Sequence, residues 1–289
     1  MAKAESKLRL LFCASILALS PGVDAACNAA GEWQDPRAQR LLEEQAVITR
    51  ASAASVVLLG ERHDAAAHHR WQLRILQALH AQRGDFVLGF EMFPRRVQPQ
   101  LDRWNAGELN EAEFVAAVDW PKIWGTDAQF YLPLLRYARD NGIKVVALNV
   151  EHALARRVAK EGWENVPAAI REGVTQPAAA SPAYIATLQE AYAQHGRNTP
   201  LPEDPAFKRF VEAQQLWDRA MAQAIAAQSP KRVVAIIGSG HLRDGHGVPH
   251  QLRDLGLNDV LTLLPWDTDD CENYGSDVAD AVYGIGKND

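Results

Sequence analysis

Two short stretches of this chain share one form: an apolar run that ends in Gly-x-x-His. "SVVLLGERH" closes on Glu61 and His63, and "VVAIIGSGH" closes on His241. A third apolar run, "FVLGFE", ends on Glu91. The glycine lets the chain leave a sheet by a tight turn, and an imidazole three residues later folds back over the strand end. Two imidazoles and a carboxylate with one open position are the ligand set of zinc or non-haem iron sites. His63, Glu91 and His241 are therefore candidate metal ligands, and Glu61 or Glu91 is a candidate general base toward a metal-bound water. Glu61, His63, Glu91 and His241 are the catalytic set if the protein is a hydrolase. A lone Gly-x-x-His carries little weight, because many histidines are simply hydrogen-bonded core or surface groups; two matched copies with a carboxylate at a third strand end carry more.

The elements that would position these groups are legible in the apolar pattern. Residues 56–59, 86–90, 144–148, 233–237 and 259–264 are continuously apolar rather than alternating, as in parallel strands covered on both faces. Helical patterns lie between them: Ala65 to Gln82 with Asp64 as N-cap, Asp127 to Asp140, Glu151 to Lys160 and Pro205 to Gln228. The fold class expected is α/β, a mostly parallel central sheet of about five strands flanked by helices. In such sheets ligands bind beyond the carboxyl ends of the strands, where the residues above fall. Two short helices are expected around Leu101 to Trp104 and Glu111 to Val118. Residues 163–204, rich in proline around a helix from Tyr184 to His195, read as a helical insertion or lid. His68 and His69 belong to the first turn of the helix after His63. Arg95 and Arg96, just after the second strand, are either surface charges or partners for anionic groups of a ligand.

The 289 residues are 47% hydrophobic, enough for a sizeable core, and the formal charge of -6 argues against a nucleic-acid binder. Lys3, Lys7 and Arg9 precede the apolar run "LLFCASILAL", and Val23-Asp24-Ala25 suits cleavage after Ala25. Residues 1–25 thus read as a secretory signal peptide, with 26–289 as the mature α/β domain, exported to the periplasm or envelope and not transmembrane. Asp24 argues against a lipid anchor at Cys27. Cys27 and Cys271 remain after cleavage and are expected to form a disulfide in an oxidising compartment.

On "LLGERHDAAAHHRWQLRIL", "LGFEMFPRR", "WGTDAQFYLPLLRYARDNGIKVVALNV", "AQQLWDRAMAQAI" and "VVAIIGSGHLRDGHGVPHQL", in that order and spacing, the chain resembles the ChaN family of haem-binding uptake proteins within the Tiki superfamily. The resemblance implies an α/β fold with a helical lid, export, and a role in haem or iron acquisition. It also implies haem bound cofacially between two chains, hence a homodimer, with a tyrosine on the iron, and an envelope haem receptor or transporter as a further partner. Tyr131, Tyr184, Tyr192 and His195 are then the candidate ligands, and the choice among them stays open. A phenolate can ligate ferric haem. With no Cys-x-x-Cys-His in the chain, haem would be noncovalent. Trp120, Trp124, Phe130 and Phe93 would wall the porphyrin, and Arg95 or Arg96 would take its propionates. The wider superfamily holds Tiki-type metal-dependent proteases and erythromycin esterases, whose strand-end His and Glu set is matched here by His63, Glu91 and His241. A metal-dependent hydrolase using a divalent ion is the alternative that this wider resemblance implies.

Overall fold

In the computed structural model, which describes residues 29–194, 199–268 and 274–286, the apolar runs form the centre of one eight-stranded sheet. The strands are β1 (Trp33–Asp35), β2 (Arg40–Leu42), β3 (Val56–Glu61), β4 (Phe86–Pro94), β5 (Val145–Asn149), β6 (Arg232–Gly238), β7 (Val260–Asp267) and β8 (Ala281–Ile285), in the order β2-β1-β8-β7-β3-β6-β4-β5. The five expected strands are the parallel block β7-β3-β6-β4-β5. The sheet exceeds the expected five by β1, β2 and β8. β1 and β2 have three residues each, too short to show a period, and β1 pairs antiparallel with both β2 and β8.

Side chains of the central strands alternate between two apolar layers, as the period of two demands. Val57 and Leu59 of β3 and Val234 and Ile236 of β6 enter one core with Ile75, Leu76 and Leu79 of α2 (Ala66–Gln82). Val56, Leu58, Val233, Ala235 and Ile237 enter the other. That second core is closed by Met221, Ala222 and Ile225 of α9 (Pro205–Ala226) and by Val248 and Leu252 of α10 (Gly247–Asp254). Each Val, Leu, Ile or Met side chain among them contributes about 1.5–3 kcal/mol on burial. The remaining helices are α1 (Glu44–Ala53), α3 (Gln98–Asn105), α4 (Glu111–Val118), α5 (Trp120–Ile123), α6 (Leu132–Asp140), α7 (His152–Glu161) and α8 (Pro182–Gln194). Asp64 does not cap α2: Ala65 holds the N-cap position, and the Asp64 carboxylate takes Arg62 Nε at 3.1 Å instead. Within 163–204, two short 3-10 turns and an extended run lead to α8. Its Tyr184, Leu188 and Tyr192 pack on Phe207 and Val211 of α9. No helix among the described residues is long and apolar enough to cross a membrane.

The register decides what the sheet presents. β3 and β6 are parallel neighbours with Glu61 beside Gly238, so both Gly-x-x-His loops leave the sheet side by side at one level. β4 runs along the other side of β6 and delivers Glu91 to the same edge.

Candidate functional site

At that edge the structure brings together Glu61, His63, Glu91 and His241, and adds Asp218. Glu61 is the last residue of β3 and is 4% exposed. It accepts the Tyr131 phenol at 2.7 Å on Oε1, the oxygen that also meets His63 Nδ1 at 2.6 Å. His69 Nδ1 lies 3.3 Å from Oε2. Tyr131 stands at the start of α6 and takes Trp124 Nε1 at 3.2 Å. Across the site the same pattern recurs with other residues. Asp218 of α9, fully buried, meets His241 Nδ1 at 2.6 Å on Oδ1 and accepts the Tyr184 phenol at 2.8 Å on Oδ2. Between the two arms, Glu91 Oε2 takes the Gly238 backbone N–H at 2.6 Å, and its Oε1 faces His241 Nε2 at 3.7 Å.

The charges follow from these contacts. Burial alone would raise the Glu61 carboxyl, but the His63 hydrogen bond, the nearby His69 and His63 charges and the Tyr131 hydroxyl outweigh it and hold it below the usual range. Burial alone would lower His63, yet Glu61 and the Glu91 charge raise it. Burial likewise opposes protonation of His241, but Asp218 and Glu91 push it up to about 9. His241 is therefore an imidazolium at neutral pH. Burial and the Glu61 charge drive the Tyr131 phenol far above its ordinary range, and burial with Asp218 does the same to Tyr184. Both phenols keep their protons and act as donors.

His63 differs from His241 in access. Its side chain is 41% exposed against 14% for His241, and with Nδ1 engaged by Glu61 its Nε2, which lies toward Gly238, has no hydrogen-bond partner among the described residues. Trp124 packs edge-on against its ring at 4.6 Å, and Phe130 stacks on the neighbouring His69. His68 uses both nitrogens internally, Nδ1 accepting the Arg62 backbone N–H at 2.9 Å and Nε2 donating to Asp267 at 3.1 Å; burial keeps it neutral.

Several expected roles do not fit these positions. His63, Glu91 and His241 converge, but His241 Nε2 faces Glu91 at 3.7 Å and Glu91 spends its other oxygen on the Gly238 N–H. Among the described residues no group of three or more His, Cys, Asp and Glu is arranged to hold a metal ion. Tyr131 and Tyr184 are sealed phenols bonded to carboxylates, a setting that opposes the phenolate an iron ligand needs. Tyr192 sits among Phe207 and Phe210, in the cluster between α8 and α9. Arg95 is spent on two backbone carbonyls, Glu172 at 2.7 Å and Ala220 at 3.0 Å, and Arg96 on Glu151. Phe93 and Trp120 are core residues, 0% and 3% exposed, while Trp124 and Phe130 are partly exposed at the rim. His195, Cys27, Cys271 and residues 1–25 lie outside the described residues. Sequence reasoning missed Asp218. Its signal was an acid inside an apolar helical stretch, between Leu216 and Ala220 to Ala222.

Comparison with known proteins supplies a frame for this geometry. The family pattern described as "Haem-binding uptake, Tiki superfamily, ChaN" matches residues 47–252. Among solved structures, one described as cofacial heme binding to ChaN of Campylobacter jejuni superposes with a TM-score of 0.71 and 21% identity, covering 88% of this chain and 96% of that one. That likeness establishes the fold. An erythromycin esterase mutant in its open conformation gives a TM-score of 0.47 at 13% identity, over 81% and 77% of the two chains. Protein RETICULATA-RELATED 5, chloroplastic, of Arabidopsis thaliana is 27% identical over 193 residues, 61% of this chain; the chain spans about a quarter of that relative's length, 25%.

Proposed function

This chain belongs to the ChaN family of haem-binding uptake proteins in the Tiki superfamily, and on that premise we propose that it is exported and binds haem noncovalently at the carboxyl edge of its sheet, as cargo for iron acquisition. His63 is the iron ligand in this reading. The observation that carries it is the pairing of His63 Nδ1 with buried Glu61, which leaves Nε2 of this 41% exposed side chain without a hydrogen-bond partner among the described residues. A metal-ligating histidine almost always gives its other nitrogen to a carboxylate or carbonyl, which sets the tautomer and strengthens the ligand. The partly exposed rings of Trp124 and Phe130 supply apolar contact for a porphyrin face. A second copy of the chain on the opposite porphyrin face would match the cofacial mode described for the Campylobacter protein.

The test is a hemin titration of the purified protein followed at the Soret band, repeated with His63→Ala, Tyr131→Phe and Tyr184→Phe. A Soret shift lost with His63→Ala and kept with both phenylalanine variants is the expected result. Loss with a tyrosine variant alone would overturn the ligand assignment, and no shift with the unaltered protein would overturn haem binding.

A second reading, hydrolysis, is favoured by one arrangement: protonated His241 beside the Glu91 carboxylate gives an acid and a base within 3.7 Å. Turnover of ester or amide substrates that is abolished by both Glu91→Gln and His241→Ala would support it.

A further inference from the structure

Beside the crevice, at the carboxyl ends of β3, β6 and β7, lies a cavity of about 310 Å³ lined by Arg62, Ser239, Gly240, Arg243, Trp266 and Asp267 among others. Glu61, the carboxylate that meets His63 Nδ1, also lines the cavity, and Ser239 of its wall directly follows Gly238, the residue that His63 packs against. Its floor is amphipathic. Leu264, Pro265 and Trp266 give an apolar wall, and Gly240 leaves an open face where a side chain would meet nothing within 4 Å.

The charges on this wall do not balance locally. Asp267 gives one oxygen to His68 and the other to Arg62, and Arg62 also holds Asp64. Glu61 is saturated by Tyr131, His63 and His69. That leaves Arg243. Its guanidinium lies over the Trp266 ring, 4.6 Å from the centroid, so it is held in place. No carboxylate approaches it within ion-pair distance among the described residues. An arginine oriented on an indole, with no acid in ion-pair reach among the described residues, on a wall shared with a serine and apolar side chains, is suited to a carboxylate carried on a short alkyl arm.

We propose that this cavity receives a carboxylate of the ligand bound at the crevice, with Arg243 and the Ser239 hydroxyl as its partners and Leu264 and Pro265 against its methylenes. The proposal rests on the haem reading, in which the arm is a porphyrin propionate, and it moves that role from Arg95 and Arg96 to Arg243. It concerns orientation as well as affinity, because a propionate held here fixes which edge of the ring enters beside His63.

The experiment compares hemin with hemin dimethyl ester, whose propionates carry no charge, in Soret titrations of the unaltered protein, Arg243→Gln, Arg243→Glu and Lys231→Gln. Lys231 precedes β6 at the opposite end of that strand and serves as the control cation. Arg243→Gln should weaken hemin binding about tenfold and Arg243→Glu more, with the dimethyl ester unaffected and Lys231→Gln silent. Succinate at millimolar concentration should compete with hemin only weakly if the carboxylate must come attached to the ring. Equal affinity of the Arg243 variants and the unaltered protein for hemin would overturn the proposal while leaving haem binding intact. Equal losses for hemin and its ester would also overturn it. Absence of any Soret shift in the unaltered protein would remove both the proposal and the reading beneath it.

Discussion

His63 and His241 each offer Nδ1 to a buried carboxylate at 2.6 Å, and each carboxylate is topped by a phenol, Tyr131 at 2.7 Å and Tyr184 at 2.8 Å. One arm draws its acid from the strand end, Glu61, and the other from a helix, Asp218. The two histidines part company in exposure, which is why the proposed reading gives the ligand to His63 and leaves His241 an internal cation. The second role has a pH signature. His241 is raised from an unfolded-state value of 6.5 to about 9, so its contribution to stability is fully present below pH 6.5 and is lost as pH rises through about 9. A rise of that size corresponds to roughly 3 kcal/mol. Denaturant unfolding between pH 6 and pH 10 should show this fall, and Asp218→Asn should flatten it. Glu61 has the opposite sign. Its carboxyl is lowered from 4.5, so its contribution is present above that value and disappears as pH falls through the lowered one. Tyr184→Phe leaves one oxygen of buried Asp218 without its donor and should cost about 1–3 kcal/mol, read from the same unfolding curves.

Two glycines control how the strand ends bring these groups into contact. A Cβ on Gly238 would stand 2.8 Å from His63 Cε1 and 3.4 Å from Glu91 Oε2. Gly238→Ala should therefore displace the half-exposed His63 ring, weakening hemin binding with only a modest loss of stability. Gly247 opens α10 at φ +53, and a Cβ there would lie 2.4 Å from the His241 carbonyl oxygen, a backbone atom with no easy retreat. Gly247→Ala should cost more than about 2 kcal/mol and lower the melting temperature, as thermal unfolding would show. The five central strands were legible because burial on both faces leaves an unbroken apolar run. β1 and β2 were not, since three residues that are not buried throughout carry no such run, and Asp64, a residue type that caps helices, paired with Arg62 instead.

Over the whole molecule, the parallel block places the strand ends Glu61, Glu91 and Gly238 on one edge, and apolar layers cover both faces of the sheet beneath it. The export proposed here is checked by fusing residues 1–25 to a periplasm-dependent reporter: activity that depends on the Lys3, Lys7, Arg9 and apolar segment is the expected outcome, and a cytoplasmic reporter would count against it. Sequence alone determined the α/β class, the central strands and the residues that end them, because strand periodicity and Gly-x-x-His are local patterns. It determined the family through the order of its segments. Only the tertiary structure decided which groups touch. It placed Asp218, 23 residues before His241 in the chain, against that imidazole, sealed Tyr131 and Tyr184 as proton donors, and turned Arg95 inward to backbone carbonyls while leaving Arg243 stacked on Trp266 with no acid beside it among the described residues. Those outcomes depend on register and helix packing between segments far apart in the chain, where the spacing of residue types carries no record of distance.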